Sequence, residues 1–290
     1  MMRFVVYLFC LFSSSFLIGQ IRQLSEREIM EQQNDMQQKF NTNDDKDEDG
    51  IPDRYDKCPN EAGPLNLFGC PEVNNLDPLG KKSSFDPMDY IKSIEMVSIP
   101  GKSWKMSKYE ITISEYLAFC FKTKSHYPEW LDSNSIYYIK GGKNATYIDK
   151  RINPAMFDKP ITGVSWEDAV AFCEYVGARL PNADEWEFAA MAEQNTTFSG
   201  SNHLDEYGWS YNNGNLIPQS VGKLKPNQWG IYDMSGNVWE WCENHGRKKG
   251  VCKGGSVQNM PWKCRIKNFE THNIQSKRFD IGFRIVMDEK

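Results

Sequence analysis

Two carboxylates bracket a glycine turn in the stretch Trp229-Gly-Ile-Tyr-Asp-Met-Ser-Gly-Asn-Val-Trp-Glu-Trp241. Asp233 lies before Gly236 and Glu240 after it. The run Val238, Trp239, Glu240, Trp241 has strand period, which sends Val238 and Glu240 to one face. With the backbone carbonyls of Gly236 and Val238, the two acids make an oxygen-only shell, the preference of a hard cation such as Ca²⁺. The same residues also suit an aromatic core hairpin with a polar turn, and spacing alone leaves both readings open.

A second acidic constellation has tighter spacing. The order Asp45-x-Asp47-x-Asp49-Gly50-Ile51-x-Asp53-x-x-Asp56 places carboxylates at loop positions 1, 3, 5 and 12. A glycine stands at position 6 and the Ile51 carbonyl at 7, the pattern of a calcium loop. Close carboxylates repel unless a cation lies between them. A plain acidic linker would account for the charge but not for the order. Asp at position 12 reaches less far than Glu, which lowers the affinity expected of the loop.

Thiols and imidazoles are less informative. His126, His203, His245 and His272 are scattered without ligand spacing. Of eight cysteines, Cys120 and Cys173 fall on apolar helix faces, and Cys242 and Cys252 flank a turn between two strands; these are the candidate pairs. No glycine-rich phosphate loop and no Gly-x-Ser-x-Gly elbow occurs.

The elements that must hold these groups follow from pattern. Met1 to Gly19 reads as a secretory signal, with Arg3 ahead of the apolar run Phe4–Phe12. Cys10 sits behind bulky Tyr7-Leu8-Phe9, which argues against lipid attachment. Export permits disulfides. Residues 20–41 lack Gly and Pro and suit a polar helix or spacer; residues 73–93 read as a linker. The main domain runs over 94–290, beginning with strands at Ile94–Pro100 and Ser107–Thr112. Helices follow, capped by Thr112 or Ser114, by Ser165 with Asp168, and by Asn182. Tyr127–Phe157 reads as a surface excursion and Gly282–Val286 as a buried strand. The net charge of −5 argues against nucleic-acid binding, and nothing after the signal is long and apolar enough to span a membrane.

Met96-Val-Ser-Ile-Pro-Gly101, Lys108-Tyr-Glu-Ile-Thr112, Pro160 to Ala169, Arg179-Leu-Pro181, Glu185-Trp-Glu187, Gly230 to Trp241, Lys253-Gly-Gly-Ser256 and Gly282-Phe-Arg284 occur in the order of one family. From Ile94 to Met287 the chain resembles the formylglycine-generating, or sulfatase-modifying-factor, enzymes. The resemblance implies an α+β fold, a variant of the C-type lectin fold; the acidic loop of residues 45–56 precedes it as an N-terminal calcium-loop spacer. It implies calcium ligands at Asp233, Gly236, Val238 and Glu240; a second family site, in the Tyr211–Val221 loop, lacks its acid here. Family oxidases bind copper(I) between two cysteines, whose positions fall on Asn259 and Cys264, with Ser256 also matching. An amide is a poor ligand for a soft d¹⁰ ion, so calcium is the expected cofactor and copper is not. Ser256 and Cys264 are the candidates if chemistry survives; a lone buried thiol is the commoner meaning of such a cysteine.

The acidic loop, with Cys58-Pro59 and Gly69-Cys70-Pro71, resembles a thrombospondin type 3 calcium repeat over 42–72. That resemblance implies a Cys58–Cys70 disulfide beside the calcium site. The reading is an exported calcium-binding protein of the bacterial envelope, gliding or secretion type, with a protein or envelope partner and a non-catalytic main domain. The rival is a divergent oxidase or other metal-dependent enzyme using Cys264. A fragment of residues 42–72 is expected to gain structure by circular dichroism when titrated with calcium up to about millimolar, the weak end of such loops; an unchanged spectrum would remove the loop site.

Overall fold

The computed structural model describes residues 91–131, 135, 156–244 and 246–289. The signal segment, the polar helix, the calcium-loop repeat with Asp45, Asp47, Asp49, Ile51 and Asp56, the Cys58–Cys70 pair, His245 and nearly all of the linker lie outside the described residues. No helix among the described residues is long and apolar enough to cross a membrane.

Among the described residues, three helices form where the caps are placed: α1 (Ile113–Thr123), α2 (Trp166–Tyr175) and α3 (Ala183–Met191). Each opens with a full capping box, Thr112 with Glu115, Ser165 with Asp168, and Asn182 with Glu185. Each box satisfies two backbone N–H groups that a helix start leaves open. Asp168 closes its box despite its short reach: its Oδ2 accepts from Ser165 N at 2.9 Å, and its own N–H donates to Ser165 Oγ at 3.1 Å.

Among the described residues, seven short strands make two sheets. The first, in the order β1 (Met96–Ser98), β2 (Trp104–Ser107), β7 (Val286–Asp288), is antiparallel. The second has the order β5 (Phe269–Asn273), β4 (Lys249–Lys253), β3 (Trp239–Trp241), β6 (Ile281–Gly282). In it β3 pairs parallel to β6 and the other pairs are antiparallel. Two strand expectations shift. The second strand ends at Ser107 rather than starting there, because Tyr109–Ile111 turns to bond the irregular segments at Phe283 and Ile161. Gly282–Val286 is not one strand: Phe283, Arg284 and Ile285 leave the second sheet and lead into the first. All three are fully buried.

Strand alternation then divides the interior. Trp239 and Trp241 face α1 and α2 in a cluster with Tyr116, Phe119, Phe172 and Phe283. A second cluster holds Met106, Trp186, Ile231, Met234 and Val286. The expected surface excursion is anchored at both ends, since Trp130 and Phe157 are buried in the first cluster.

The candidate cysteine pairs are not bonded. Cys120, Cys173, Cys242, Cys252 and Cys264 are free and buried. For the second pair the reason is geometric. Trp241 stands opposite Cys252, so Cys242, its neighbour along the strand, projects from the other face. Accordingly Cys252 lies in the first cluster and Cys242 in the second.

Candidate functional site

Glu240 projects from β3 between the two tryptophans, away from the aromatic cluster, and is fully buried. Arg284, also fully buried, grips it with two hydrogen bonds: Nε donates to Oε2 at 2.6 Å and Nη2 to Oε1 at 2.8 Å. Trp186 of α3 adds a third, Nε1 to Oε2 at 2.6 Å. The remaining donors of the guanidinium reach Ser107 O at 3.1 Å and Tyr232 O at 2.9 Å. Burial works against its charge, but the hydrogen-bonded Glu240 carboxylate, with Glu110 and Asp233 nearby, outweighs that and holds the guanidinium above its ordinary range.

Glu110 was not singled out by sequence reasoning, and it completes the group. It is 1% exposed, with Oε2 accepting from Asn237 Nδ2 at 2.8 Å and Oε1 from Val238 N at 3.3 Å. The signal that could have found it is an acid inside the otherwise apolar, strand-like Tyr109–Thr112. Burial, with the nearby Asp233 and Glu240 charges, pushes its carboxyl well above the usual range. Asp233 takes the left-handed φ of +58°, and its Oδ2 accepts from Gly222 N at 2.7 Å. Its Oδ1 is buried without any hydrogen-bond partner. Burial pushes its carboxyl up to about 6.

Three buried carboxylates therefore share one guanidinium. Their donor atoms are all oxygen, the chemistry of a hard cation. A carboxylate offers about four lone-pair positions; Glu240 has three filled, Glu110 two and Asp233 one. Three or more acidic, thiol or imidazole side chains nowhere converge on one metal position among the described residues. A cation here would thus use Asp233 with one further carboxylate, and the Gly236 and Val238 carbonyls. Gly236 is irreplaceable in that turn: its φ is +93°, and a Cβ would lie 2.0 Å from Trp209 O.

Ser256, Asn259 and Cys264 lie together elsewhere. Asn259 Oδ1 accepts from Ser256 N at 3.0 Å and stands 3.1 Å from Ser256 Oγ. The amide thus locks the turn, while Met260 beside it points outward, 47% exposed. Cys264 is fully buried against Phe198 and Leu204. Gly255 passes so close that a Cβ there would lie 2.8 Å from Cys264 Sγ. Burial pushes the Cys264 thiol up to about 12, so it is protonated at neutral pH. Two of the imidazoles serve structure: His126 Nδ1 bonds Asp168 Oδ1 at 3.0 Å, and His272 Nε2 lies 3.3 Å from Glu270.

Residues 83–289 match the model of the sulfatase-modifying factor enzyme 1-like domain. The formylglycine-generating enzyme of Mus musculus is 37% identical over 97 residues, which are 28% of this chain and 26% of the mouse protein. The chaperone protein LppX of Paenibacillus barcinonensis is 27% identical over 217 residues, 52% of this chain and 71% of that one. Among solved structures, Treponema denticola variable protein 1 superposes with a TM-score of 0.51 at 19% identity, covering 67% of this chain and 92% of the other. That likeness bears on the fold alone, a mixed α+β architecture.

Arg284→Met leaves Glu240 buried and uncompensated, and is expected to cost about 3–5 kcal/mol in chemical denaturation. Pairing it with Glu240→Leu is expected to recover part of that loss. Equal losses in the single and double variants would show that the guanidinium matters only for the carbonyls it caps.

Proposed function

The chain belongs to the sulfatase-modifying factor enzyme 1-like family through residues 83–289, and from that premise we propose an exported, calcium-stabilised binding or assembly protein of the cell envelope whose domain does not generate formylglycine. The observation that carries the second half is the amide at 259. Its oxygen is committed to the Ser256 turn, and Cys264 is sealed beneath Gly255 as a neutral thiol. A copper(I) site between two sulfurs needs a second thiolate, and an amide does not replace it. The relative named as a chaperone supports a binding or assembly role for such a domain. The partner we propose is a protein or other envelope component, not nucleic acid.

In this reading calcium is structural. Asp233, Glu240 and the Gly236 and Val238 carbonyls would hold it in the main domain, with Glu110 alongside. Calcium would supply the counter-charge that three buried carboxylates lack. The Asp45–Asp56 loop, with its Cys58–Cys70 bridge, would hold a second ion in a spacer.

Calcium at about a hundred times its Kd is expected to raise the melting temperature by about 5–10 °C. The rise is expected to disappear in Asp233→Ala. Glu240→Gln is a poorer probe, because it also strips Arg284 of its counter-charge. In EDTA, folded Asp233 holds its proton more tightly than the unfolded chain does. Its contribution to stability therefore falls as pH rises from about 4 to about 6, and excess calcium is expected to abolish that trend. Melting indifferent to both EDTA and calcium would leave only a core hairpin.

Copper-loaded protein is expected to consume no oxygen with a sulfatase-type cysteine peptide. Asn259→Cys is expected to gain copper(I) binding. Peptide oxidation by the unaltered protein, abolished by Cys264→Ala, would establish the rival reading of a divergent oxidase using Cys264.

A further inference from the structure

The stretch from Gly246 to Arg278 carries nine basic residues and a single acid, Glu270, in a chain whose net charge is −5. Five of the nine have acidic partners: Lys253 and Lys267 bind Glu187, Lys263 binds Glu270, Lys277 binds Asp168 and Arg278 binds Asp280. Arg247, Lys248, Lys249 and Arg265 are exposed, and none of them has an ion-pair partner among the described residues. Lys249 stands opposite Asn273 at one end of β5, and Arg265 lies four residues before the other end. The unpaired positive charge therefore flanks one strand.

That strand is the edge of its sheet, with no strand on its outer side among the described residues. Hydrogen-bond phase shows what the edge offers. Cys242 N donates to Val251 O, so Val251 turns its backbone toward β3. Ile274 N donates to Lys248 O. Alternation then directs Gly250 and Cys252 toward His272 and Glu270. The backbone N–H groups of Phe269, Thr271 and Asn273 consequently point away from the sheet, as do the carbonyls of Phe269 and Thr271. The Asn273 carbonyl is taken by Ser276 N at 2.9 Å. Phe269 is 61% exposed at the head of this row, and Trp262 nearby is 53% exposed.

We infer that the outer edge of β5 receives an extended, acidic segment of a partner polypeptide as an added strand. Charge complementarity selects an acidic occupant. It also disfavours a second copy, because two edges flanked by Arg247–Lys249 repel, the usual protection against self-pairing. Backbone groups repeating every second residue, about 7 Å apart, match a polypeptide; a sugar chain or a lipid surface shares the charge but not that repeat. Main-chain bonds would give affinity and Phe269 an apolar anchor. The inference names a partner for the binding role proposed above and rests on it, yet the two fail separately: the test below involves neither copper nor Cys264.

The probe is a fluorescein-labelled decapeptide of alternating Val and Glu, read by anisotropy with the full chain at low ionic strength. Binding is expected, weakening as salt screens the charges. Reversal of Arg247, Lys248 and Lys249 to Glu is expected to weaken it at least about tenfold, the scale of a few screened charge contacts. Thr271→Pro removes an outward N–H while sparing the pairing with β4, and edge strands tolerate proline; a similar loss is expected. The same peptide N-methylated at alternate residues keeps its charge and is expected not to bind, which covers the case in which Thr271→Pro does not fold. Absence of binding by the alternating peptide would overturn the inference. So would equal binding of the N-methylated peptide, or of dextran sulfate or phosphatidylglycerol vesicles in a manner insensitive to Thr271→Pro, since each would show a polyanion surface without strand addition.

Discussion

One buried guanidinium decides how the pieces of this domain meet. Arg284 binds a carboxylate on β3, a carbonyl at the end of β2 and a carbonyl in the loop before β3. Through Glu240 it also reaches the indole of α3. Taking an ion out of water costs several kcal/mol even after relaxation, and only full hydrogen bonding offsets it. Both partners here are at 0% exposure, so the arrangement tolerates no loose fit. Each element that donates to or accepts from the pair is held in register by the cost of leaving it. The sheets are only two to five residues per strand, too short to fix their mutual positions by ladder bonds alone.

The acidic surplus follows from the same design. One arginine cannot neutralise Glu110, Asp233 and Glu240 together. The excess appears as a raised Glu110, a raised Asp233 and an Asp233 oxygen without a donor. The Cys264 region shows the opposite economy. There Asn259 and Ser256 satisfy one another, and the thiol is packed as a small apolar group. One site is electrostatically incomplete and the other is closed.

What sequence conveyed depended on range. Caps were legible because their donors and acceptors lie three residues apart: Thr112, Ser165 and Asn182 all start helices. The turn at Gly236 was legible because its conformation needs glycine. Family motifs single out Asp233, Glu240 and Asn259 along the chain, but not the company they keep. Glu110 escaped notice because it meets Asn237 across more than a hundred residues. Arg284 falls within the expected strand Gly282–Val286, yet it lies where the chain passes from one sheet to the other. The cysteine pairs failed for a related cause: flanking a turn says nothing about which face of the sheet a side chain takes.

The path of the chain between residues 281 and 288 has a kinetic meaning. This short piece contributes β6 to one sheet and β7 to the other, and it carries Arg284 between them. Its partners, Ser107 and Glu240, precede it by many tens of residues, so the contacts that define the interior are non-local and close late. During vectorial synthesis, helices α1 to α3 can form behind their caps while Glu240 still has no counter-charge and both sheets lack a strand. Until residues 281–288 emerge, the nascent domain exposes aromatic faces and unpaired strand edges, the state most exposed to aggregation and to capture by holding factors.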